Sequence, residues 1–225
     1  MRSELFNQVH NAVNTGERYT LQSSKMLKVA LGPDVLAAKG VMVAYTGTVT
    51  FHHEGAGSVA KLMKRVVTSE DQPLMRVAGQ GEVYFARAAS TIFTLLLEGE
   101  GISVGGGSIL AFDASLTWDV HRTRGAGIMG GGLFNTVVGG HGTVALTSDG
   151  PPLILDCSQQ PVFVDTDAAV CWSASITPTL VNSMNVRSML RGGSGEAVQY
   201  SFYGPGFVVV QPSEGGAMPA SAGRA

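Results

Sequence analysis

The chain has 225 residues, with 15 Lys plus Arg against 17 Asp plus Glu and a formal net charge of −2. That balance excludes a global electrostatic grip on nucleic acid or on an anionic membrane. Only 14% of the residues are charged while 30 are glycine, against ordinary shares of about 25% and about 7%, which suits a turn-rich β protein that covers part of its surface with copies of itself.

The first residues, Met1-Arg2-Ser3-Glu4-Leu5-Phe6, carry an early acid and no apolar core of a secretory leader. Nor do they have the Arg-rich, acid-poor shape of a transit peptide, so the expected location is the cytoplasm. The first strong element is Met42-Val43-Ala44-Tyr45-Thr46-Gly47-Thr48-Val49, a large ring among small residues with an aliphatic four positions on. Residues four apart share one side of a strand, so Tyr45 and Val49 are expected on the core face. Over residues 60–67 the spacing of Val59, Leu62, Met63, Val66 and Val67 predicts a short helix. Gly79-Gln80-Gly81-Glu82-Val83-Tyr84-Phe85 follows. Its Gly-x-Gly lets the backbone take a positive φ or approach a neighbour, as a turn or bulge needs, and its apolar tail marks a strand.

Both elements then return in alternation. The aromatic element recurs at Ile109–Leu116, with Phe112 as its ring, and at Ala169–Ile176, with Trp172. The glycine element recurs at Gly140-His141-Gly142 and at Gly204-Pro205-Gly206. Two independent elements at one period of roughly 60 residues predict a repeat architecture. The reading is an all-β, single compact domain over residues 1–211 built of three repeats, about 27–87, 102–149 and 153–211. Residues 212–225 have the composition of a disordered tail. Cys157 and Cys171 each sit in an apolar run without metal-ligand spacing, which predicts buried reduced thiols.

Motifs with chemical meaning are few. Gly125-Ala126-Gly127-Ile128-Met129-Gly130 spells a dinucleotide fingerprint but precedes more glycines rather than a helix, so it reads as a loop and no cofactor is expected. His52-His53-Glu54 places neighbouring histidines on opposite faces of a strand, which argues against a metal site. His141 stands where the other repeats have Gln80 and Pro205, as a turn position would. Asp113, Asp119, Asp165 and Asp167 flank the aromatic elements. Asp113 stands where the others have Thr46 and Ser173, as a small polar turn former does. Positive charge recurs after each aromatic strand: Lys61, Lys64 and Arg65, then Arg122 and Arg124, then Arg187 and Arg191. Converging on one face, these would form an anion-binding surface despite the net charge; dispersed, they are solvated loop charges.

The run Leu27-Lys28-Val29-Ala30-Leu31 leading into Val35–Tyr45 resembles the opening of the altered-inheritance-of-mitochondria (mitochondrial biogenesis) family. Gly79–Tyr84, Val170-Cys171-Trp172-Ser173 and Phe202–Gln211 resemble it too, so the likeness covers about residues 19–212. The resemblance implies TRAP-like β-sandwich units fused in one chain and association into a homo-oligomer, a trimer foremost. It supplies no catalytic residues, and the N-terminus looks like that of a bacterial member. The expected function is therefore a non-enzymatic structural or interaction protein, with itself and an unidentified protein or anionic lipid as partners, at a membrane or envelope surface. The alternative is a small-molecule binding module with its site between β units or subunits. Nucleic acid is disfavoured as a partner, because charge and aromatic interleaving are both wrong for it.

Overall fold

The computed structural model describes residues 3, 11–54, 73–105, 107–122, 134–182 and 198–213. Its strands are β1 (Tyr19–Ser23), β2 (Met26–Leu31), β3 (Val35–Ala38), β4 (Met42–His53), β5 (Leu74–Phe85), β6 (Thr91–Gly105), β7 (Ile109–Asp113) and β8 (Thr117–Arg122). They continue with β9 (Phe134–Ser148), β10 (Leu153–Asp156), β11 (Val162–Asp165), β12 (Ala169–Ser173), β13 (Thr179–Asn182), β14 (Val198–Phe202) and β15 (Phe207–Val210). The protein is all-β, as its alternating and β-branched segments predict. The helix expected over 60–67 lies outside the described residues, as does the tail beyond Ser213. No helix among the described residues is long and apolar enough to cross a membrane.

Pairing is antiparallel throughout and follows one plan around each glycine element. A central strand, β5, β9 or the β14–β15 pair, carries the Gly-x-Gly and is flanked on both sides. On one side lie β2 and β3, then β6 along its length, then β10 and β11. On the other lie β4, then β7 and β8, then β12 and β13. Neighbouring groups are then joined at two seams, the first of β3 on β7 and the second of the end of β6 on β12. The outcome is a twelve-stranded sheet and a separate three-stranded sheet, β11–β14–β13.

Of the two expectations for the glycine elements, a turn or a bulge, the second is met beside Gly140, where β6 and β9 shift register. Gly79–Gly81 and Gly140–Gly142 lie inside β5 and β9, which run straight through them, so the element is a bend within a strand rather than a turn. At Gly140–Gly142 the β6 register shifts between Glu98 and Gly101 and the other edge of β9 passes from β8 to β7, while Gly204–Gly206 splits β14 from β15. The intervening Gln80, His141 and Pro205 are all exposed, which explains why such different side chains occupy one position. The second glycine is under sharper constraint. A Cβ on Gly81 would lie 1.9 Å from the Thr46 carbonyl oxygen, and one on Gly206 would lie 2.6 Å from Ser173 Oγ.

Burial also departs from expectation at one ring. Phe112 and Trp172 are fully buried, but Tyr45, their counterpart on β4, is an exposed residue. Strands β7 and β12 have hydrogen-bonded neighbours on both edges, whereas among the described residues β4 pairs with β5 alone. The buried side chains gather in three clusters. The third centres on Trp172, Tyr200 and Phe202, whose ring centroids stand 5.4–5.7 Å apart in tilted contacts. Cys157 and Cys171 are free and buried, as expected. Burial pushes the Cys171 thiol up to about 12, so it is inert as a nucleophile.

Candidate functional site

Two kinds of feature stand out once the strands are in place: polar clusters that tie strands together, and an apolar groove at the second seam. The polar clusters hold the two charged side chains that are buried among the described residues, Lys28 and Asp113. Asp113, at the end of β7, is buried. Its Oδ1 accepts from Arg18 Nη1 at 2.5 Å and from Tyr19 OH at 2.9 Å, and its Oδ2 accepts from the Thr143 backbone N–H at 2.8 Å. Burial, with the Asp113 charge beside it, raises the Tyr19 hydroxyl far above the ordinary tyrosine value, so it stays a donor. The Asp113 carbonyl also accepts the Leu116 N–H at 3.0 Å. The expected turn role is therefore present, together with a carboxylate function that the sequence alone did not display.

Ser173 repeats part of this device. Its Oγ accepts the Phe207 N–H at 3.1 Å, as Asp113 accepts that of Thr143, and both donors follow the second glycine of their element. A second cluster joins β2 to β5. Lys28 is only 3% exposed, and its Nζ donates to Glu82 Oε1 at 2.9 Å, while Tyr84 OH donates to Glu82 Oε2 at 3.1 Å. The Lys28 hydrogen bond holds the Glu82 carboxyl below its usual range. In a third, Arg76 grips Glu54 through two bonds of 2.9 and 3.0 Å and reaches Asp34 at 3.1 Å, which raises its already high pKa further. A charge inside an apolar run, such as Lys28, signals a buried partner. The partner's identity needs the register, and Arg18, Glu82 and Arg76 were not legible for that reason.

The groove lies where β6 meets β12 and β15 and has a volume of about 400 Å³. Leu97 and Ile102 are buried beneath it and Leu96 stands exposed at its rim, with Phe207 opposite. Its polar groups are already engaged: Ser173 Oγ with Phe207, Ser175 Oγ donating to the Pro205 carbonyl at 3.1 Å, and Glu100 Oε2 accepting from Glu98 N–H at 3.2 Å. An occupant would meet a chiefly apolar surface. At the first seam the counterpart of Ser173 is Asp113, and there Arg18 and Tyr19 stand on it.

Lys61, Lys64, Arg65, Arg124, Arg187 and Arg191 lie outside the described residues. Arg122 ends β8 opposite Phe134, which fixes its backbone place only. The fingerprint at 125–130 also lies outside. His52 and His53 are both exposed, opposite Arg76 and Met75. Among the described residues no group of three or more His, Cys, Asp or Glu is placed to hold a metal. The six repeat glycines are described, and all six have positive φ.

Fold and clusters together define an all-β protein whose polar clusters fasten strands within a group, and in the case of Arg18 and Tyr19 on Asp113 fasten one group to the next. The mitochondrial biogenesis AIM24 family model matches residues 19–213, and the chain belongs to that family. It is also similar in fold to a Streptococcus pyogenes protein known from an X-ray crystal structure. That match has a TM-score of 0.70 at 22% identity and covers 87% of this chain and 92% of that one. No curated protein matches the chain at a significant level.

Proposed function

We propose that this protein is a non-enzymatic structural or interaction protein that acts as a homo-oligomer at a membrane or envelope surface, on the cytoplasmic side. The observation that supports this most is the set of large apolar side chains exposed on strands: Val43, Tyr45, Leu96, Leu153, Ile154 and Phe163. Exposed apolar groups on flat strands favour covering by another macromolecule. The charged groups with the best geometry, Asp113, Glu82 and Arg76, are engaged in joining strands. Membership of a mitochondrial biogenesis family agrees with an organising role. Native mass spectrometry of the untagged protein tests this: a single oligomer without excess mass is expected, and a monomer overturns it.

The membrane part of the reading has its own test. Flotation with anionic vesicles should be salt-sensitive and should fall in a Lys61→Glu/Lys64→Glu variant, since a local basic surface binds through screened charge. Equal flotation of both proteins removes that surface from the proposal.

The groove supports a second reading, a small-molecule binding module with its site between β groups. Its volume lies within the range of ligand pockets and its surface is chiefly apolar. A reproducible excess mass per subunit, lost in Leu96→Lys, would put this reading first.

A further inference from the structure

Two seams inside the chain are built to one register. At the first, Val35, Leu36 and Ala37 of β3 lie opposite Asp113, Phe112 and Ala111 of β7. At the second, Ile102, Ser103 and Val104 of β6 lie opposite Ser173, Trp172 and Cys171 of β12. Each seam strand also holds a fixed place on its own central strand. Val35, Ile102 and Val162 face Val77, Val138 and Phe202, each four residues before the second glycine of its element. Tyr45, Phe112 and Trp172 face Val83, Val144 and Val208, each two residues after it. By this correspondence β11 is a third strand of the first kind, and the start of β4 is a third strand of the second kind.

Neither has a seam partner among the described residues. Strand β11 pairs with β14 alone and β4 with β5 alone. Their side chains record the vacancy. Leu36, Phe112, Ser103 and Trp172, at the centres of the two formed seams, are at most 5% exposed, whereas Phe163 is 58% exposed and Tyr45 49%. Native edge strands are usually blunted by Lys, Pro or a charge pointing outward. Met42–Val49 carries none of these, and Val162–Asp165 has only its terminal Asp165.

We propose that a second copy of this chain completes the seam: Val162, Phe163 and Val164 of one copy pair antiparallel with Thr46, Tyr45 and Ala44 of the next. The inference rests on the homo-oligomeric reading above and names its interface. The three-stranded sheet β13–β14–β11 then becomes continuous with β4, β5, β2 and β1 of the neighbour, as the two internal seams already make their sheets continuous. Phe163 stands directly opposite Tyr45, a cross-strand aromatic pair that leaves water on both sides. The two copies use different patches, so the contact is heterologous and propagates into a ring or a filament.

Complementation tests the contact. Tyr45→Lys and Phe163→Glu alter exposed side chains, and each alone should weaken self-association by more than about tenfold while the circular dichroism stays unchanged. An equimolar mixture should reassociate, because the intact β11 of the first variant meets the intact β4 of the second. A chain carrying Tyr45→Cys and Phe163→Cys should oxidise to covalent dimers and longer ladders. An intrachain crosslink, or none, overturns the proposal. If the wild-type protein is oligomeric and both single variants keep its mass, this interface is wrong and the oligomeric reading stands. If the wild-type protein is a monomer at micromolar concentration, both fall.

Discussion

Three glycines separate steric from conformational constraint at the scale of one residue. Gly32 has no positive φ and nothing within 4 Å of an added Cβ, Gly40 has φ +83° with the same open space, and Gly81 has φ +142° with the Thr46 carbonyl oxygen 1.9 Å away. Gly32→Ala should be neutral or stabilising by up to ~1 kcal/mol through the unfolded chain. Gly40→Ala should cost about 1–2 kcal/mol for the left-handed backbone, and Gly81→Ala more than that because β4 must also move. Urea unfolding of the three variants should give that order. Any other order would show that the bend in β5 is looser than its geometry implies.

The Lys28–Glu82 pair carries the acid sensitivity of the same region. Glu82 is held below its usual pKa by the Lys28 hydrogen bond. The unfolded carboxyl titrates at about 4.3, so the pair's contribution is full above that pH and is lost as pH falls through the lower folded value. Unfolding free energy should therefore drop below about pH 4.5 in the wild type, and less steeply in Glu82→Gln. Because Lys28 is buried, Glu82→Ala should destabilise more than Lys28→Met, which removes the charge that needs a partner.

At the scale of the strand, sequence and structure agree on type and part company on environment. The ring-and-small-residue pattern marks strands at 42–49, 109–116 and 169–176; β4 spans the first, whereas β7 and β12 end at Asp113 and Ser173, and turns follow that bring Leu116 and Ile176 back to them. The glycine pairs mark backbone that only glycine tolerates, and each takes a positive φ. Neither pattern can tell which edge of a strand has a neighbour, so Tyr45 reads like Phe112 and Trp172 while its surroundings differ. The polar clusters were illegible for a related reason: Arg18 meets Asp113 across 95 positions of chain, and no local pattern encodes that distance. Truncation exposes the difference between the rings. Phe112→Ala and Trp172→Ala should each cost about 3–5 kcal/mol, as for fully buried aromatics. Tyr45→Ala, measured on the dissociated chain, should cost under ~1 kcal/mol. Equal costs would mean that the start of β4 is covered within one chain.

Cooperativity decides whether the three strand groups behave as separate bodies at the scale of the whole molecule. Each internal seam places a strand of one group against a strand of the next, β3 on β7 and β6 on β12. Melting the first group would strip β7 of an edge and uncover Phe112, and melting the third would do the same to the end of β6. The Arg18–Asp113 bond adds a polar tie across the first seam, and its loss would leave a buried carboxylate short of donors. Local opening of one group therefore carries part of the cost of opening its neighbour, which is the condition for all-or-none unfolding. Trp118 lies on β8 and Trp172 on β12, in the second and third groups, while the first group has no tryptophan. Tryptophan fluorescence and far-ultraviolet circular dichroism should thus report different parts of the chain yet give one coincident urea midpoint. Trp172→Phe, which leaves Trp118 as reporter, should keep the two probes coincident at a lower midpoint. Separated transitions would show that the seams hold the groups in place without coupling their stability.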